Sequence, residues 1–332
     1  MRNTRIAAIL VLIGILVLTT CGLSSAAERL IVYTSMKESL IGNIVAGFHK
    51  KHPDIAVDHQ TSGAGNLMAK IAAERETGKI LVDVLWHSEV PDFYNMRAEG
   101  LLLQYKSPFI NELLNPFDDY DGYFTAARLG TLGIIINTNL IKEPPQQWSD
   151  LFKPAFNDVF VIADPSLSGT AFMSVAMLDK QFGWQFFEKL RDNKAHMGRG
   201  SAQVVNDTAI GEFSACLGVD YIAYDAIVKG APLALVYPPE LLMSPSPVAI
   251  FKDSTNIEAA KKFVDYLLSQ EAQQLVANES TLSVRMDVTY KEGVSLPPAS
   301  EVLKRAIKVD YVELMNKKEE LVRRFADTLR GK

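Results

Sequence analysis

The sequence predicts a two-lobed α/β protein, each lobe a mainly parallel sheet flanked by helices, with a ligand cleft between the lobes. Three observations carry this. Short apolar strand-like runs alternate with amphipathic helical ones for most of the 332 residues, the pattern of parallel sheets joined by crossover helices. Two strand runs, 130–137 and 233–237, each lie beside a polar, proline-rich segment suited to crossing between sheets. Small polar residues and glycines collect where strands hand over to helices, which is where open α/β sheets hold their ligands.

Taken in order, the chain opens with a basic stretch, Met1 to Arg5, and an apolar run of thirteen residues, Ile6 to Leu18. That run is shorter than the roughly 20 residues a membrane-spanning helix needs and has the layout of a secretory signal peptide. Ser25-Ala26-Ala27 places cleavage before Glu28, assigning 1–27 to the signal and predicting an exported, soluble product. Leu18-Thr19-Thr20-Cys21 offers a lipoprotein-type signal instead, but Thr is a poor residue before the cysteine, so a lipid anchor at Cys21 ranks second.

Leu30–Thr34 reads as a strand, and Glu38–Lys51 as a helix with Leu40, Ile41, Ile44, Val45 and Phe48 on one face. Strands at Ile55–Asp58 and Val82–Trp86 follow, with helices at Asn66–Thr77 and Pro91–Glu99. Gly130–Asn137 is a long buried strand. In the second half, Phe160–Ala163, Ala215–Tyr221 and Leu233–Tyr237 are strands, and helices follow the first two of them. Helices at Glu258–Ser269 and Gln270–Ala277 and one charged helix, about Leu303 to Leu329, complete the chain. These elements divide into lobe one at 28–130, with 240–295 returning to it, and lobe two at 131–239. Residues 296–332 are expected to pack on lobe two or at the hinge.

Composition narrows the function. The formal net charge is −5, and loss of Arg2 and Arg5 with the signal leaves 32 basic residues against 39 acidic ones, a net of −7. With no basic stripe outside the signal and the last helix, nucleic acid is not an expected partner. Cys216 alone remains after cleavage, inside the apolar run Phe213–Leu217, and reads as a small core residue. The GxSxG, HExxH, CxxC and phosphate-loop patterns do not occur. Nothing in the sequence argues for an enzyme, a cofactor or a resident metal.

The strand ends carry the candidate site. "DPSLSGTAF", residues 164–172, puts Ser168, Gly169 and Thr170 at a helix start. Unpaired backbone N–H groups, the helix dipole and a glycine that admits close approach make such a turn an anion cradle. It is equally the composition of an ordinary N-cap. Ser35, Ser62-Gly63, His87, Asp220 and Tyr221 stand at other strand ends and are taken as ligand-binding candidates. His49, His52 and His59 read as surface residues.

The chain resembles the solute-binding subunits of ABC importers in the type II periplasmic-binding superfamily, near the ferric-binding and the phosphosugar- and phosphonate-binding proteins. The resemblance runs from about Leu30 to Val288. It rests on "IVYTSMKE", "TSGAGNLMAKIAAE", "VDVLWHSE", "GIIINTNLI", "DPSLSGTA", "GEFSACLGVDYIAY", "KGAPLALVYP" and "AKKFVDYLLSQEAQQLV", in that order. It implies a periplasmic monomer that delivers a ligand to a membrane permease and its ATPase. Ferric-binding members use two adjacent tyrosines, and here the pair falls on Tyr221 and Ile222, leaving Tyr221 and Glu89 as a poor iron set. The anion cradle carries over as Ser168-Gly169-Thr170, with Gly200-Ser201 at a second anion-contact position. The resemblance therefore implies a small organic anion, a sugar phosphate or phosphonate, as ligand. The alternatives are ferric-iron transport and a ligand-sensing module for a membrane sensor.

Overall fold

The computed structural model describes residues 28–117 and 119–331, so the signal segment and Cys21 lie outside the described residues. β1 (Glu28–Thr34) pairs in parallel with β2 (Ile55–Thr61) on one side and β3 (Val84–Trp86) on the other. α1 (Glu38–Lys51) connects the first two, burying Leu40, Ile41, Ile44, Val45 and Phe48 as its periodicity requires. Glu38 in its first turn and Lys50 and Lys51 in its last complement the helix dipole. α2 (Ala64–Glu76) follows β2, and α3 (Val90–Ala98), with Pro91 in its first turn, follows β3.

β4 (Thr125–Asn137) leads out of this lobe, and all thirteen of its residues are buried. Its first half pairs antiparallel with β9 (Leu242–Ile250), its second half with β7 (Ala215–Val219) and β8 (Leu233–Val236). β9 in turn pairs with β3. These two antiparallel strands join the lobes, giving the order β2-β1-β3-β9-β4-β7-β5-β6 with β8 also on β4. β5 (Phe160–Ala163) lies parallel to β7 and to the short β6 (His196–Gly198).

In the second lobe α4 (Gly169–Phe182) and α5 (Gln185–Asp192) connect β5 to β6, α6 (Ser201–Ile210) connects β6 to β7, and α7 (Asp220–Val228) connects β7 to β8. α8 (Ile257–Leu268) and α9 (Gln270–Asn278) pack back on the first lobe, and α10 (Ala299–Arg305) and α11 (Tyr311–Leu329) end the chain. One core gathers Val32, Phe48, Trp86, Phe93 and Phe263, and another gathers Ile134, Trp148, Phe160, Phe172 and Phe187. Val302 of α10 belongs to the first core, and Leu314, Leu321 and Phe325 of α11 to the second.

Three expectations are corrected. The polar, proline-rich segment beyond Tyr237 is more than a connection between sheets: from Leu242 to Ile250 it is β9, a central strand. Prolines lack a ladder donor and argue against such a strand. Here Pro247 and Pro245 stand opposite Ala126 and Leu129, where the ladder shifts register. β4 starts at Thr125 rather than Gly130, because Ala126, Ala127 and Leu129 extend the buried run past Arg128. The last helix is two helices: Ile307 donates its N–H to Leu241 O at 3.0 Å, and Asp310 then caps α11 by accepting from the Val312 and Glu313 N–H groups, both at 2.9 Å.

Candidate ligand-binding cleft

Residues at strand ends and helix starts of both lobes line a cleft of about 860 Å³. Five helices begin on its walls: α1 after Lys37 and α2 after Gly63 from lobe one, α4 after Ser168, α6 after Gly200 and α7 after Val219 from lobe two. Each start presents backbone N–H groups with no helical partner and the positive end of a dipole.

On the second lobe the starts of α4 and α6 bring three hydroxyls into a triangle. Ser168 Oγ lies 3.1 Å from Thr170 Oγ1 and 2.7 Å from Ser201 Oγ, and the last two are 2.9 Å apart. Ser168 also caps α4, accepting from the Ala171 N–H at 3.3 Å. Ser201 caps nothing. A tight hydroxyl triangle at two helix N-termini matches the trigonal face of a tetrahedral anion, with the positive dipole ends behind it. On the facing wall Ser35 Oγ accepts from the Ser88 N–H at 3.1 Å, while Ser62 and Gly63 open α2.

Thus Ser35, Ser62, Gly63, Ser168, Gly169, Thr170, Gly200, Ser201 and Tyr221 all border one cleft. Three candidates are placed elsewhere. His87 is fully buried, its Nδ1 accepting from the Glu89 N–H at 3.0 Å, and burial, reinforced by Lys318, pushes its imidazole down to about 3. Glu89 is buried and ion-paired to Lys318, so it does not join Tyr221 in an iron-binding set. Asp220 is fully buried; one carboxylate oxygen accepts from the Thr131 N–H, Thr131 Oγ1 and Thr281 Oγ1, each at 2.9 Å. These bonds tie the start of α7 to β4.

Gly169 has a different neighbour from the one expected. A Cβ there would fall 2.7 Å from Glu89 Cβ, so the glycine makes room for lobe one. Gly63 and Gly65 do likewise, since a Cβ on them would lie 2.2 Å from Leu167 O and 2.1 Å from Ser166 O. The turn opening α2 therefore rests backbone to backbone on the turn opening α4. A Cβ on Gly200, by contrast, meets nothing within 4 Å.

Three basic residues belong to this region that the sequence did not point out, among them Lys229, which lines the cleft and pairs with Asp225 at 2.8 Å. Lys37 borders the cleft mouth, where its Nζ pairs with Glu279 at 2.5 Å and approaches Asp225 at 3.7 Å. Arg128 is fully buried, its guanidinium carbon 4.4 Å from the centre of the Tyr221 ring. Its Nε donates to Ser246 Oγ at 3.3 Å, while Nη1 and Nη2 have no hydrogen-bond partner among the described residues. Burial raises the Tyr221 phenol above its ordinary range, and Arg128 works against that rise. The only sequence signal for Arg128 is a lone charge within an otherwise apolar strand.

A two-lobed fold whose strand ends and helix starts converge on one cleft is the architecture expected of a solute-binding protein. The chain belongs to the bacterial extracellular solute-binding protein family, whose model it matches over residues 33–274. It is 32% identical to an uncharacterized protein of Haemophilus influenzae over 294 residues, 83% of each chain. It is 24% identical over 251 residues, 72% of each chain, to a Salmonella typhimurium protein provisionally named as a 2-aminoethylphosphonate-binding periplasmic protein. The fold is that of the periplasmic binding protein AfuA of Actinobacillus pleuropneumoniae, solved with exogenous fructose-6-phosphate bound. The TM-score is 0.80 at 24% identity, covering 91% of this chain and 99% of that one.

Proposed function

We propose that the protein is the periplasmic binding component of an ABC importer for a small organic anion carrying a phosphate or phosphonate group, divided into lobes at 28–130 with 240–295 and at 131–239. The observation that carries this reading is the hydroxyl triangle of Ser168, Thr170 and Ser201 at the joined starts of α4 and α6. Three donors spaced about 3 Å apart suit the three terminal oxygens of a phosphoryl group. Arg128 adds a buried positive charge against Tyr221, which lines the cleft. The names of the Salmonella relative and of the AfuA complex support the same chemistry.

The remainder of the ligand reaches toward Ser35, Ser62 and Tyr221 across the cleft, whose mouth is walled by Lys37 and Asp225. Hinge motion about β4 and β9 closes the lobes over it and creates the shape a permease recognises. A thermal-shift screen tests this. Sugar phosphates or aminophosphonates are expected to raise the melting temperature, a ligand at 100 times its Kd adding about 2.7 kcal/mol. Stabilisation by neutral sugars or amino acids alone would refute it.

A further inference from the structure

Behind the cleft, where lobe one meets α4, lies a group of charges that ligand binding does not use. Glu89 and Asp92 are 1% and 6% exposed, beside the fully buried His87. Lys318 of α11 reaches in, pairing with Glu89 and with Asp92 Oδ1 at 2.7 Å. The carboxylates belong to the start of α3 in lobe one. Lys318 sits on a helix whose Leu314, Leu321 and Phe325 are part of the second core and whose Thr328 accepts from the Trp184 indole at 3.0 Å.

The cluster also touches the anion cradle. Glu89 Cβ occupies the space a side chain on Gly169 would need, and Lys318 Nζ stands 5.9 Å from the ring of Phe172 in the first turn of α4. The seam between the lobes, the tether and the cradle helix are therefore in direct contact. Two buried carboxylates face one ammonium, and His87 Nε2 and Asp92 Oδ2 have no hydrogen-bond partner among the described residues. Such a cluster holds only while Lys318 is in place, because an unpaired buried charge is strongly unfavourable.

We infer that Lys318 is an interlobe tether: by docking on Glu89 and Asp92 it holds α3 against α4 and sets the balance between the open and closed cleft. Removing the ammonium takes away the cation that joins Glu89 and Asp92, both already pushed up by burial, to α11, and so loosens the seam between the lobes. Apparent affinity falls in proportion to the fraction of molecules that can close.

The test measures the lobes directly, without needing the ligand. Spin labels on Lys79→Cys and Glu212→Cys, one exposed position on each lobe, report the interlobe distance in the chain from Glu28 onward, which lacks Cys21; Cys216 is buried. Lys318→Met is expected to move the distribution to longer distances, and Lys318→Arg to keep it near that of the parent protein. Asp92→Asn, which keeps an oxygen for Lys318 but removes one of its two ion pairs, is expected to move the distribution in the same direction as Lys318→Met, but by less. With fructose 6-phosphate or 2-aminoethylphosphonate as probe, whichever stabilises the protein, Lys318→Met is expected to weaken binding about tenfold. A lower melting temperature for Lys318→Met with an unchanged distance distribution would overturn the tether, as would a distribution unmoved by Asp92→Asn. Failure of both probes to bind, with the distances shifting as expected, would count against the ligand reading and leave the tether supported.

Discussion

Replacing Ser201 with alanine isolates the cradle chemistry better than any other single change. Ser168 has two duties, since its Oγ completes the triangle and also accepts from the Ala171 N–H. Ser168→Ala would therefore lose a cap, about 1 kcal/mol of stability, together with any ligand contact. Ser201 Oγ bonds only to the Ser168 and Thr170 hydroxyls, at 2.7 and 2.9 Å. Its removal leaves those two hydroxyls free to pair with each other at 3.1 Å, so the ligand-free fold is expected to melt within a degree of the parent protein. A hydrogen bond to a charged group contributes about 1.5–3 kcal/mol, so affinity for a phosphorylated ligand is expected to fall roughly tenfold to 150-fold. Titration calorimetry and melting of Ser201→Ala and Ser168→Ala, run side by side, decide the matter. Unchanged affinity in Ser201→Ala would show that the triangle is only local packing.

Ferric citrate is expected to give no strong tyrosinate charge-transfer band, since Ile222 leaves Tyr221 without an adjacent phenol and Glu89 is tied to Lys318; a stable visible band abolished by Tyr221→Phe would reverse the ranking of ligands. Gly65→Ala places a methyl 2.1 Å from Ser166 O and is expected to keep the lobes apart, which small-angle scattering would register as a larger radius of gyration with ligand present; a ligand-induced contraction equal to the parent's would contradict it. Burial pushes the Cys216 thiol up to about 12, so thiol reagents at about pH 8 are expected to leave the native protein unmodified. Rapid alkylation without unfolding would show that the residue is reachable.

Much of this architecture is legible from residue order alone, because apolar periodicity reports burial whatever the tertiary context. α1 spans the residues its pattern indicates, and the small-residue turns at 62–65 and 168–170 stand at helix starts as their chemistry requires. What stays hidden is direction. His87, Glu89 and Asp220 are polar residues at strand ends, like Ser35 and Tyr221, and local sequence does not say which of them turn inward to bond with distant partners. Asp220 is held by Thr131 and Thr281, 89 and 61 residues away. β9 escapes because its prolines obey a rule about ordinary ladders, and the register shift beside them is a property of two strands together. Lys318 is one charge among many on a mostly solvated helix, and only the fold sets it opposite two carboxylates.

The cradle also says something about how cargo is let go. Its triangle is built of neutral hydroxyls and backbone dipoles, and the lysines lining the cleft, Lys37 and Lys229, are already matched by Glu279 and Asp225. Recognition by dipoles at contact range, inside a closed cleft, is little affected by mobile ions, whose screening acts over about 8–10 Å through water. On the proposed function, the contacts made at the cradle itself thus depend little on salt. The solute can also leave without breaking a direct ion pair at the cradle: parting the lobes lets water replace the hydroxyls one at a time, and discharge at the membrane becomes a matter of geometry more than of charge.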